Sequence, residues 1–65
     1  MFLLLTDKLG KKAIVNMEEV GEISYDNGYK MTTVLYKRTL REQYAATLQV
    51  QETPEEIWEM MGAMK

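Results

Sequence analysis

The residues of this 65-residue chain that could act on another molecule fall into two groups of opposite charge. Lys30, Lys37, Arg38 and Arg41 lie between Asn27 and Arg41 with no acid among them, and Tyr29 and Tyr36 are interleaved. Glu52, Glu55, Glu56 and Glu59 crowd the last quarter. A basic stretch set apart from the acids can hold an anionic or acidic partner surface. The same charges also keep a protruding hairpin tip in water and block edge pairing. We take Lys30, Tyr36, Lys37, Arg38 and Arg41 as the candidate partner-binding residues.

Catalysis has few residues to draw on. A nucleophile needs an activating base beside it, yet the chain has no His and no Cys, and Ser24 is its one serine. Carboxylates for acid/base chemistry are plentiful at Glu18, Glu19, Glu22, Glu52, Glu55, Glu56 and Glu59, but the last three read as the solvated face of a helix. Gly10, Gly21, Gly28 and Gly62 are scattered singly and make no phosphate-cradling loop. With no thiolate or imidazole ligands, no metal centre is expected, and no cofactor. So short a chain also has little room for the ~300 Å³ at which ligand pockets begin. The expectation is a chain that is not an enzyme.

The elements that position these residues are organised around Leu48–Trp58, where one periodicity gives way to another. Tyr44, Ala46, Leu48 and Val50 alternate with Gln43, Ala45, Thr47, Gln49 and Gln51, the period of a half-buried strand. Thr53 then caps a helix, Pro54 suits its first position, and Glu56 completes a capping box. Ile57, Met60, Met61 and Met64 repeat at helical spacing with Trp58 at the border of the stripe, which gives one apolar face to lie on the sheet. At this spacing the methionines read as core, although such side chains also serve adaptable binding. Trp58 and Leu48 are expected in the core.

Upstream, the sequence predicts strands at about 2–6, 12–15, 20–25 and 30–37, a fifth at about 43–51, and the helix at about 54–64. Phe2 to Leu5 is apolar at consecutive positions, so this strand should be covered on both faces, by the helix on one side and a second copy of the chain on the other. Asp7–Lys11 is a polar turn with Gly10, and Asn16 opens a single helical turn. Asn27-Gly28 predicts a hairpin with a type I′ turn, in which both central residues take positive φ. Arg38 to Glu42 has no turn residue, which favours a long two-stranded arm from Lys30 to Val50 with Lys37, Arg38 and Arg41 near its tip. The fold class is α+β, mostly β: about five antiparallel strands in a sheet or meander with one C-terminal α-helix packed on it. Residues 1–65 form a single domain.

Size and charge narrow the partners. A domain of about 60 residues buries only about 60% of the surface its unfolded chain exposes, and 46% of these residues are hydrophobic. A homo-oligomer, a dimer before other states, would hide the remainder. The net charge of −2 argues against a dedicated nucleic-acid binder. The run Met1 to Leu5 is too short for a signal peptide, and no stretch approaches the roughly 20 apolar residues that span a bilayer. A cytoplasmic location without a membrane partner is expected.

Several motifs resemble those of a known family. Leu4-Leu5-Thr6, Gly10 to Asn16, Val20, Ile23 and the closing Val50 to Ile57 are similar to the small FlbD-type (SwrD-like) flagellar proteins and short phage proteins like them. The likeness covers both ends, about half of the chain. Tyr29 to Ala46 is longer than the compact hairpin of that family, so any function particular to this chain should reside there. The family brings no catalytic residues with it. A weaker resemblance is to the CsrA-type RNA-binding regulators, β-rich dimers with a C-terminal helix. Their RNA contacts rest on an Arg after the first-strand Leu-Thr and another before the helix; here Asp7 and the pair Glu52-Thr53 stand at those places, and would repel phosphate.

The functional expectation is a small regulatory or inhibitory protein-binding module of the kind phages or mobile elements encode, acting through the basic arm. RNA binding through the same arm is the alternative, and a structural subunit of a larger assembly the second alternative.

Overall fold

The computed structural model describes residues 1–37 and 46–63. Five strands and a C-terminal helix are present, as expected, with the strands distributed over two antiparallel sheets. Strands β1 (Phe2–Thr6) and β2 (Lys12–Asn16) form the first; β3 (Val20–Asp26), β4 (Met31–Tyr36) and β5 (Thr47–Val50) form the second, in that spatial order.

The β1–β2 hairpin is closed by Asp7. Its carboxylate accepts from the N–H groups of Leu9 and Lys11, each at 2.9 Å, while Gly10 takes φ +84, which a side chain would resist. Leu3 pairs with Val15 and Leu5 with Ala13 on the inner face; Leu4 pairs with Ile14 on the outer one. A single 3₁₀ turn, Met17–Glu19, follows, with the Asn16 side chain accepting from the Glu18 N–H at 3.1 Å.

The β3–β4 hairpin forms where Asn27-Gly28 predicts it, but its turn is of another kind. Asp26 and Met31 are the last pair, so Asn27 to Lys30 make a four-residue loop. Asp26 Oδ1 accepts from the Gly28 N–H at 2.8 Å and the Tyr29 N–H at 3.2 Å. This side-chain-capped turn winds right-handed, so the left-handed residue is displaced to Lys30, at φ 55. Lys30 is therefore a loop residue, and β4 begins one position later than its composition suggests. A bulge at Gly21 shifts the register between Val20↔Tyr36 and Glu22↔Leu35. β5 pairs with β4 from Thr32↔Val50 to Leu35↔Thr47, and the Tyr36 N–H reaches the Ala46 carbonyl at 2.9 Å. Positions 43–45 of the expected fifth strand lie outside the described residues.

The two sheets meet at one joint. Asp7 bridges to Val50, the Gln51 N–H donates to the Thr6 carbonyl at 2.8 Å, and the Thr6 N–H donates to both carboxylate oxygens of Glu52, at 2.8 and 3.0 Å. Leu3, Leu5, Val15, Val34, Val50 and Ile57 are buried together between the sheets and helix α1 (Pro54–Ala63). The helix opens on the expected capping box: the Glu56 N–H donates to Thr53 Oγ1 at 3.1 Å and the Thr53 N–H to Glu56 Oε1 at 3.2 Å.

One expectation about packing needs correction. Trp58 is 72% exposed rather than core. Ile57 is the fully buried residue of α1, and the next residue lies about 100° around the helix, so seating Ile57 turns the indole outward. Met60 and Met61 stay half-buried against the core, as Leu48 does on β5. Within this chain one face of β1 is covered, and Phe2 and Leu4 stand exposed beside Ile14 on the other, the face for which a second copy is expected. β4 leaves no such residue, its apolar side chains being buried or half-buried. Met64 lies outside the described residues.

Candidate protein-binding site

Three of the five residues singled out for partner binding are described, and they do not form one cluster. Lys30 is exposed in the β3–β4 loop, at one end of β4. Tyr36 and Lys37 are at the other end, roughly 20 Å away along extended chain. Tyr36 packs half-buried on the core. Lys37 is exposed; its N–H donates to the Glu19 carbonyl at 2.8 Å, and its Cγ passes 3.5 Å from where a Cβ on Gly21 would sit. The bulge glycine thus makes room for the lysine stem. Arg38 and Arg41 lie outside the described residues, so their relation to Lys37 is one of sequence alone.

What the structure adds is apolar surface in two places. The first is the outer face of the β1–β2 hairpin, where Phe2 (61% exposed), Leu4 (55%) and Ile14 (73%) stand out. Leu4 and Ile14 are direct cross-strand partners, and Phe2 lies two residues from Leu4 on the same face, so the three are contiguous. The unbroken apolar run Phe2 to Leu5 was the signal for it. The second is built around Trp58. Its indole forms a wall of two hollows, one of about 220 Å³ shared with Met1, Met61 and Gly62, the other of about 270 Å³ shared with Met17, Val20 and Ile23. No signal in the sequence separates this arrangement from a core tryptophan, because periodicity shows a stripe but not which of its borders is seated.

A third hollow, of about 280 Å³, lies between the Asp7–Leu9 turn and the Thr47–Gln49 strand. Its one acid, Asp7, is committed to the turn hydrogen bonds. Chemistry elsewhere is similarly committed. Burial pushes the Glu52 carboxyl up, but the Thr6 N–H and nearby Lys12 act the other way and leave it below its ordinary value. Both of its oxygens are engaged by the Thr6 N–H at the joint between the sheets. No cluster of three metal-binding side chains occurs among the described residues. None of their helices is long and apolar enough to cross a membrane.

Comparison of the chain with protein-family models, with curated proteins and with solved structures finds no match. The comparisons neither support nor oppose the resemblances to FlbD-type and CsrA-type proteins, and the function is read from the chain's surfaces.

Proposed function

We propose that the chain is a small, non-enzymatic, protein-binding module of regulatory or inhibitory type that works in a cytoplasm and self-associates. The observation that carries the reading is the contiguous outer face of Phe2, Leu4 and Ile14. Isolated exposed apolar residues are ordinary, whereas a joined patch on a small domain marks a contact surface. The face lies on a two-stranded hairpin and suits a second copy, as the shortage of interior in so small a chain suggests. The basic arm serves a different protein, with Lys37 at its described end.

Sedimentation equilibrium over a range of concentrations tests the first part: the wild-type chain should sediment as a dimer and the Leu4→Lys/Ile14→Glu variant as a folded monomer. A wild-type monomer at high micromolar concentration removes self-association. Replacing Lys37, Arg38 and Arg41 with Glu tests the second part. Capture of the partner should be lost with the thermal midpoint nearly unchanged, and capture that depends on intact RNA would replace the protein partner by a nucleic acid.

A further inference from the structure

The Trp58 surface differs in character from both the outer hairpin face and the arm. We propose that it is a docking site for a cationic amphipathic segment of the partner protein, a short stretch with lysines or arginines flanking apolar side chains. The inference rests on the protein-binding reading and names the chemistry of what is bound.

Four features point the same way. Trp58 is fixed in its exposed position, because the adjacent Ile57 is buried in the core and sets the rotation of the helix. A tryptophan is among the commonest anchors of protein interfaces, since it offers a large rigid surface at little entropic cost. The hollows on its two sides are floored by methionines, Met1 and Met61 on one and Met17 and Met61 on the other, and thioether side chains adapt to the shape of an inserted group. Each hollow has the size for an aliphatic side chain, and nothing lies within 4 Å of a Cβ placed on Gly62, so the mouth of the first is open.

Charge selects the occupant. Glu22 lines the second hollow. Glu55 stands three residues before Trp58 on the helix and so shares its side. Glu18 lies beside the first hollow, 3.9 Å from the Met1 amine that it partly neutralises. Against these acids, the cationic groups of the described residues at this surface are that amine and Lys37, whose stem crosses Gly21 at its margin. A basic segment would meet carboxylates at its flanks and could lay an arginine over the indole, a cation–π contact that strengthens as water leaves. An acidic segment or an anionic lipid surface would be repelled from the same rim.

Trp58 is the chain's one tryptophan, so its fluorescence reports on this surface alone. The probe is a synthetic lysine/leucine amphipathic peptide, titrated into the full chain beside its glutamate/leucine counterpart and anionic phosphatidylglycerol vesicles. The basic peptide should give a saturable blue shift, protection from acrylamide quenching and a dissociation constant that rises with salt. The Glu22→Lys/Glu55→Lys variant should bind it roughly tenfold more weakly or worse, with an unchanged circular dichroism spectrum. Equal binding of the acidic peptide or the vesicles overturns the assignment, as does undiminished affinity in the variant. A blue shift that develops with protein concentration alone would give the surface to a second copy instead. The parent reading fails separately: the docking site is lost but the module survives if the variant still captures the wild-type partner, whereas a chain that captures no protein and does not self-associate ends both.

Discussion

The two halves of helix α1 are built on opposite terms. At its start the side chains are tied into the chain: Thr53 and Glu56 exchange hydrogen bonds, and Glu52, just upstream, takes the Thr6 N–H. Beyond Ile57 the helix presents Trp58 to solvent, with Met60 and Met61 only half-buried. The first half spends its side chains on holding this chain together. The second half leaves them unspent, and an interface draws on such residues. Exposure of a large apolar side chain therefore means something different at Trp58 than it would at a frayed terminus, because the residue before it is locked.

That contrast is broken or sharpened by substitution on either side of it. The largest effect belongs to Ile57→Ala. Emptying a fully buried aliphatic site should cost about 2–5 kcal/mol, a large share of what so small a domain has in total, so urea denaturation should find the variant largely unfolded. Glu52→Ala comes next, at about 1–2 kcal/mol, below the full worth of a charge-assisted bond because the carboxylate is half-buried and screened. The same residue sets a pH dependence. Its folded pKa is lowered, so its contribution is complete above the ordinary carboxylate value and is lost as pH falls through the folded value. Thermal midpoints below about pH 4.5 should fall less steeply in the variant than in the wild type. An equally steep acid limb would mean that another carboxylate governs it.

Thr53→Ala removes the cap and should cost about 1 kcal/mol, read as a lower midpoint in the same assay. A change of opposite sign is expected at Thr32. Its hydroxyl is buried in β4 without a hydrogen-bond partner among the described residues. Thr32→Val keeps the shape and removes the unmet polar group, so the midpoint should rise, by several degrees if the gain is about 1 kcal/mol. The smallest effect is Trp58→Ala, within about 0.5 kcal/mol of wild type. A loss as large as that of Ile57→Ala would place the indole inside and end the distinction between the two halves of the helix.

Much of the fold was legible because it depends on neighbours in sequence. Thr53, Pro54 and Glu56 announce the helix start, Asp7 with Gly10 announces the first turn, and alternation along Leu48 and Val50 announces the last strand. Where two local signals compete, legibility fails. Asn27-Gly28 argues for positive φ at both residues, but the Asp26 carboxylate captures the two N–H groups that follow and moves the left-handed position to Lys30. Non-local choices were less legible. The apolar run Phe2 to Leu5 marks a second apolar face but does not name Ile14 as the residue that joins it, and nothing in Trp58 says that Ile57 will be the residue seated. Of the candidate binding residues, the tyrosine and lysine at the end of β4 are neighbours in space, but Lys30 belongs to the opposite end of the strand.

The joint between the sheets has a consequence for how the chain folds. Each hairpin closes a short loop, whereas the contacts of Thr6 with Glu52 and of Asp7 with Gln51 join positions 46 and 44 residues apart. Closing the longer loop costs more chain entropy and is repaid only once both hairpins exist. The joint is thus expected to close late, with the Glu52 carboxylate as its latch. Glu52→Ala should leave the folding arm of a stopped-flow chevron unchanged but raise the unfolding rate, and a slowed folding arm would put the joint in the transition state instead.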